Sequence, residues 1–194
     1  MVALSSLCVY TGSSGRVDAV HREAAARLGR LTAERGVRLI YGGGRVGLMG
    51  VLADAALAAG GSVIGVIPEH IEEQEIAHTG VTNLIVVNSM HERKLKMFQL
   101  ADAFAVLPGG LGTLDETLEI ITWRQLGLHD KPIVLVDNAG YWAPLRRLVE
   151  HVVAAGFAGP ETERLFVVVE RVDDVFTAVA AARPPAAEAR ERLL

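Results

Sequence analysis

The run Leu107-Pro108-Gly109-Gly110-Leu111-Gly112-Thr113-Leu114-Asp115-Glu116 sets glycines and a threonine just ahead of a carboxylate. Where such a turn opens a helix, backbone N–H groups freed of side-chain bulk converge on the positive end of the helix dipole, a geometry suited to a phosphate monoester. Glu116 follows about one helical turn later, within reach of a sugar attached to that phosphate. A second cluster, Ser89-Met90-His91-Glu92-Arg93-Lys94, puts two cations in the first turn of a helix, where the dipole disfavours positive charge. An anion is expected to compensate them: Glu92 in part, and either a bound phosphate or the carboxylate of Glu116.

For a sugar so held, one reaction open to a carboxylate is cleavage of the bond to a base, which builds oxocarbenium character at the anomeric carbon. A carboxylate near that carbon stabilises the charge and orients water for attack. Glu116 has the type and spacing for that task, while Arg93 either holds Glu116 ionised or contacts the sugar phosphate bidentately. No residue stands out as proton donor to the leaving base. No metal or other cofactor is expected, since the six histidines show no zinc-ligand spacing and His91-Glu92 lacks the second histidine of a metalloprotease helix.

Each feature also has a reading without chemistry. Thr113 and Glu116 have the spacing of a capping box, as do Ser89 and Glu92. The run Gly42-Gly43-Gly44-Arg45-Val46-Gly47 is a degenerate dinucleotide fingerprint, but glycines at such turns often serve only positive φ or close packing. A dinucleotide site also wants an acid at the end of the next strand; that strand ends in Ile67-Pro68-Glu69, so NAD is not favoured. Glu72, Glu73 and Glu75 read equally as a solvated acidic loop.

To position these residues, apolar runs and helical stretches alternate along the chain. Strands are predicted over 7–10, 38–41, 62–67, 84–87, 103–107, 133–136 and 165–169. Helices are predicted over 17–35, from the Gly47 turn to Gly60, and over 89–101, 113–126, 142–155 and 173–182. Such alternation implies an α/β fold with a mainly parallel sheet of about seven strands and helices on both faces. Ligands in these sheets bind beyond the carboxyl ends of the strands. Three glycine-bearing loops, Thr11–Gly15, Gly42–Gly44 and Gly109–Gly112, should therefore line one rim. The strand from Ala103 is expected to return beside the first strand, bringing the first and third loops together across one nucleotide-sized cleft.

Residues 1–183 read as one nucleotide-binding domain, and 184–194 as an Ala- and Arg-rich tail that frays. The single cysteine, Cys8, lies inside an apolar strand, so it reads as a small core residue, with no disulfide framework. The N-terminus lacks the basic region of a signal peptide and no apolar run is long enough to span a membrane, which predicts a cytoplasmic protein with no membrane partner. A formal net charge of −4 gives no footprint for nucleic acid.

Taken together, Met90-x-x-Arg93-Lys94 and Pro108-Gly109-Gly110-x-Gly112-Thr113-x-x-Glu116 resemble the LONELY GUY (LOG) family of cytokinin riboside 5′-monophosphate phosphoribohydrolases, often mislabelled lysine decarboxylases. Gly12-Ser13-Ser14-Gly15, the Gly42–Gly50 run, Ile67-Pro68 and the stretch Ile121-Thr122-Trp123 to His129-x-Lys131-Pro132 match in order as well, covering roughly residues 5–180. The resemblance implies a three-layer Rossmann-like fold, a homodimer, and hydrolysis of an adenine-type nucleoside 5′-monophosphate to free base and ribose 5-phosphate. It makes Arg93 and Glu116 the catalytic pair. It assigns substrate contacts to Gly109, Gly110, Leu111, Gly112, Thr113, Leu114 and Asp115, with Lys94, Glu75 and Thr122 beside them. Prenylated cytokinin nucleotides and plain AMP both remain open as substrates.

Two other classes compete. A non-enzymatic carrier of a nucleotide or of the molybdenum cofactor would bind without releasing base, and the presence of both Arg93 and Glu116 argues against it. A pyridoxal-phosphate decarboxylase would need a Schiff-base lysine, and Lys94, Lys96 and Lys131 are the only lysines in a chain small for such a cofactor domain.

Overall fold

The protein is described here by a computed structural model, which covers residues 4–71 and 77–182. Glu75 and the tail 184–194 lie outside the described residues. The elements run β1 (Ser6–Tyr10), α1 (Ala19–Glu34), β2 (Arg38–Tyr41), α2 (Gly47–Ala58), β3 (Val63–Pro68), β4 (Asn83–Val87), α3 (Met90–Leu100), β5 (Ala103–Val106), α4 (Leu111–Gln125), β6 (Ile133–Val136), α5 (Ala143–Ala154), β7 (Val167–Val169) and α6 (Val175–Ala182).

The seven strands form one parallel sheet in the order β4-β3-β2-β1-β5-β6-β7. Strands buried on both faces need near-continuous apolar sequence, and Leu7-Cys8-Val9-Tyr10, Ala103–Val106 and Ile133–Val136 supply it. Side chains alternate between the two faces. Leu7 and Val9 join Leu28 of α1, Leu52 of α2 and Val175 of α6 on one side. Cys8 and Tyr10 join Met97 of α3, Ile120 of α4 and Leu145 of α5 on the other. Burial holds the Cys8 thiol well above its ordinary pKa, with the charge of Glu116 adding to the effect, as suits a core residue.

The chain extends the sheet outward from β1 through β4, then returns across it, so that β5 pairs with β1 in the register Leu7↔Ala103 to Tyr10↔Val106. The expected return beside the first strand is therefore present, and the switch point lies between β1 and β5. Several boundaries differ from expectation. α4 starts at Leu111, not Thr113, because extended backbone at Gly110 lets that glycine act as N-cap. β7 is confined to Val167–Val169, since a 3₁₀ turn at Pro160–Arg164 holds the preceding residues. Another such turn, Val172–Asp174, delays α6 to Val175. Among the described residues, no helix is long and apolar enough to cross a membrane.

Candidate active site

Backbone bonds at the switch point lock the first and third loops together. Leu107 N donates to Tyr10 O (2.9 Å), and Gly12 N reaches Pro108 O (3.2 Å). The Thr11 hydroxyl also donates to Pro108 O, at 3.2 Å. A Cβ on Gly109 would collide with the Thr113 hydroxyl and stand 2.8 Å from Gly12 N, so only glycine allows this approach. The first turn of α2, which follows the second loop, joins through Leu48 N, which donates to Gly12 O at 3.1 Å. One cleft results. Its lining includes Thr11–Ser13 from the first loop, Gly42 from the second, and Gly110, Leu111, Gly112 and Thr113 from the third.

Arg93 and Glu116 enter the same cleft from α3 and α4. Glu116 is buried together with Thr113. Thr113 does not cap α4: it sits inside the first turn, and no side chain caps that helix. The capping-box reading of Thr113 and Glu116 is thereby corrected. With the N-cap at Gly110, the first turn of α4 from Leu111 to Thr113 lies at the cleft, where the free N–H groups of a helix N-terminus are found.

The other capping box forms, with an altered partner. Ser89 Oγ accepts from Glu92 N at 3.1 Å, while Glu92 Oε2 accepts from Asn88 N at 2.9 Å, one residue before the cap. This fixes α3 and aims Arg93 inward. Its Nε donates to Val66 O (3.1 Å) and its Nη2 to Gly42 O (2.7 Å), tying the guanidinium to the ends of β3 and β2. A Cβ on Gly42 would run into Nη2, so this glycine makes room for the cation.

Lys94, by contrast, lies outside the cleft lining. Its Nζ bonds Asp115 Oδ2 at 3.0 Å and Glu119 Oε1 at 3.1 Å, both on α4. Burial works to lower its pKa, but the hydrogen bonds and charges of Asp115 and Glu119 prevail and raise it. The anion expected to compensate this cation is thus a pair of carboxylates, neither of them Glu116. The partnership joins successive helices across an intervening strand, so no local spacing in the sequence marks it.

Residues 49–179 match the family described as "Possible lysine decarboxylase". The cytokinin riboside 5′-monophosphate phosphoribohydrolase of Rhodococcoides fascians is 45% identical over 181 residues, covering 93% of this chain and 90% of that protein. The chain belongs to the LOG family. The cytokinin riboside 5′-monophosphate phosphoribohydrolase LOG1 of Arabidopsis thaliana is 42% identical over 161 residues, with 83% of this chain and 76% of that protein covered. Among solved structures, the molybdenum cofactor carrier protein of Chlamydomonas reinhardtii superposes with a TM-score of 0.69 at 21% identity, over 93% of this chain and 98% of that one. At that identity the likeness speaks for the fold alone.

Several residues of the LOG-family pattern sit away from the cleft. Leu114 packs against the core beside Ile120. Thr122 is exposed on α4, its hydroxyl bonded to Leu118 O at 2.7 Å. Trp123 packs edge-on against Phe98, with ring centroids 5.0 Å apart. His129 Nε2 bonds Ile120 O (2.8 Å), and its Nδ1 accepts from Lys131 N (3.1 Å), which together fasten the exit of α4. Conversely, Tyr10 lines the cleft although its sequence marks it only as a strand residue, and Met49 and Met90, which belong to the family motifs but carry no expected contact, line it too. Tyr10 ends a buried strand at the switch point, and that position is the signal that could have found it. Burial raises its hydroxyl well above the ordinary tyrosine pKa, with nearby Cys8 and Glu116 reinforcing this.

Proposed function

We propose that this LOG-family chain hydrolyses the N-glycosidic bond of cytokinin riboside 5′-monophosphates to free base and ribose 5-phosphate. The names of its relatives supply the substrate class. The observation that carries the reading is the convergence of Arg93 and Glu116 with the glycine-rich first turn of α4 on one cleft at the switch point.

In this reading the N–H groups around Gly109–Thr113 hold the 5′-phosphate at the helix N-terminus. Glu116, about one turn further on, faces the ribose. As the base departs with the C1′–N electron pair, its carboxylate stabilises the oxocarbenium charge. It then takes a proton from water as the remaining hydroxyl bonds to C1′, and the leaving base nitrogen gains one proton, equivalent to the one that Glu116 gives back to solvent, so the carboxylate is restored. Arg93 has two donors engaged with the carbonyls of Gly42 and Val66, so its charge is fixed at the cleft wall and attracts the anionic substrate. The same hydrolysis applied to AMP is the alternative substrate assignment. The proposal takes residues 1–183 as one nucleotide-binding domain, working in the cytoplasm as a homodimer, without cofactor or nucleic-acid partner. Glu75, outside the described residues, is kept as a proposed substrate contact on the family resemblance.

Release of free base from isopentenyladenosine monophosphate and from AMP, measured for the native protein and Glu116→Gln, tests the reading. Native turnover is expected with one of them, and a folded Gln variant slower by about two to four orders of magnitude. Saturable nucleotide binding with no base release from either would return the chain to the carrier reading.

A further inference from the structure

After β6 the chain makes an unusual turn. Ala139 adopts φ 59° and Gly140 φ 73°, two left-handed residues in succession, and alanine seldom takes that conformation. The turn is held from within: Gly140 N donates to Asp137 O at 3.2 Å, and Trp142 N to Asp137 Oδ1 at 2.6 Å. Residues in sparsely populated conformations persist where their surroundings over-determine them, often near a functional site. What this turn delivers is Tyr141. Its hydroxyl donates to Gly109 O at 2.6 Å, bridging to the phosphate loop from the far side of β5.

That carbonyl belongs to the Gly109–Gly110 peptide. No cis peptide occurs among the described residues, and in a planar trans peptide the C=O and N–H point to opposite sides. With Gly109 O drawn to Tyr141, the N–H of Gly110 points the other way, and Gly110 lines the cleft. A glycine pair resists peptide rotation poorly. Turned over, this peptide would present a carbonyl oxygen to the cleft and repel an anion.

We propose that Tyr141 is a positioning residue for phosphate recognition: its hydroxyl holds the Gly109–Gly110 peptide with the N–H toward the substrate phosphate. This rests on the phosphoribohydrolase reading in taking the phosphate to bind at that loop. The bond, and not the packing of the ring, is the operative contact. Tyr141 is 41% exposed, and its ring makes edge-type pairs with His21 and Trp142, at centroid distances of 5.9 and 4.9 Å.

Calorimetric binding of ribose 5-phosphate and of adenosine to the native protein, Tyr141→Phe and Tyr141→Leu provides the test. Phe keeps the ring and removes only the hydroxyl. Both variants are expected to bind ribose 5-phosphate about three- to tenfold more weakly, the worth of one hydrogen bond. Adenosine, which lacks a phosphate, should bind all three proteins alike. If Phe matches the native protein for ribose 5-phosphate, the ring alone matters and the proposal is overturned. Equal weakening for both ligands overturns it too, because that reports a general distortion. Base release by the native protein, measured in parallel, separates the two readings: turnover with unaltered phosphate binding in Tyr141→Phe removes the role of Tyr141 and leaves the hydrolase standing. A native protein that neither binds ribose 5-phosphate nor releases base removes both.

Discussion

At the scale of single residues, Arg93 shows how a charge can be held at a cleft wall by neutral groups. Two carbonyl oxygens at the strand ends fix its orientation, and Gly42 is small enough to let the guanidinium through. Lysine would keep the charge but could not span both carbonyls with a planar fork. Gly42→Ala and Arg93→Lys are therefore expected to fail in the same way. Each should lower kcat/KM for the nucleotide by about a hundredfold, as displacement of a positioned group by about 1 Å can do, and, because the bonds disturbed are buried, lower the unfolding free energy by about 1–3 kcal/mol without unfolding the protein. Steady-state kinetics beside a thermal melt would check this. A Gly42→Ala enzyme with native kcat/KM would show that Arg93 needs no such passage.

At the scale of elements, the strands were legible because burial on both faces demands uninterrupted apolar runs. The return of β5 beside β1 followed from three glycine loops that had to share a rim. The start of α4 was misjudged because Thr113 and Glu116 satisfy a capping pattern that Gly110 pre-empts. Lys94 was misplaced because its partners, Asp115 and Glu119, lie on a helix that only the fold brings alongside. The exit of α4 carries a prediction of its own. Burial is the main cause lowering the pKa of His129; the charges of Arg124 and Lys131 add to it, against the opposing hydrogen bond to Ile120. A folded pKa below the unfolded one means that the native state binds protons less readily than the unfolded chain. The stabilisation from neutral His129 is then present above about 6.5, the ordinary value, and is lost as pH falls through the lower folded pKa. Asp102 acts in the same sense at lower pH: burial opposes ionisation, but hydrogen bonds from Ser5 and Ser6 prevail and depress its pKa below 3.8. Denaturant unfolding at pH 7.5 and pH 5.5 should show a native protein that weakens on acidification. His129→Gln, which can still donate to Ile120 O, should weaken less over that interval. An identical pH dependence in both proteins would remove His129 from the account.

On the scale of the whole molecule, α4 has two faces with different fates. One packs on the sheet through Ile120 and Ile121, while Leu111 and Leu118 remain 84% and 43% exposed, and Leu126, just past the helix, 67%. At about 100° per residue, Leu118 lies about 20° from Leu111 round the helix and Leu126, just past its end, about 80° from Leu118, so these leucines share one broad side, with Thr122 between them. Scattered exposed leucines need no explanation, but an apolar side beginning at the cleft does. A second copy of this chain is the occupant that the proposed homodimer supplies. Burying a leucine is worth about 1.5–3 kcal/mol, so two of these residues on each protomer would contribute much of a stable interface. The native protein should sediment at twice its 20.7 kDa mass. Leu118→Glu combined with Leu126→Glu should sediment as a monomer that keeps the far-UV spectrum of the folded chain, because both positions face solvent in the protomer. A native protein that sediments as a monomer at micromolar concentration would refute the dimer, and a double variant that stays dimeric would place the interface elsewhere. Because Leu111 also lines the cleft, loss of the partner should expose the rim where the phosphate loop begins. The monomeric variant is accordingly expected to lose nucleotide affinity, although neither substituted residue lines the cleft.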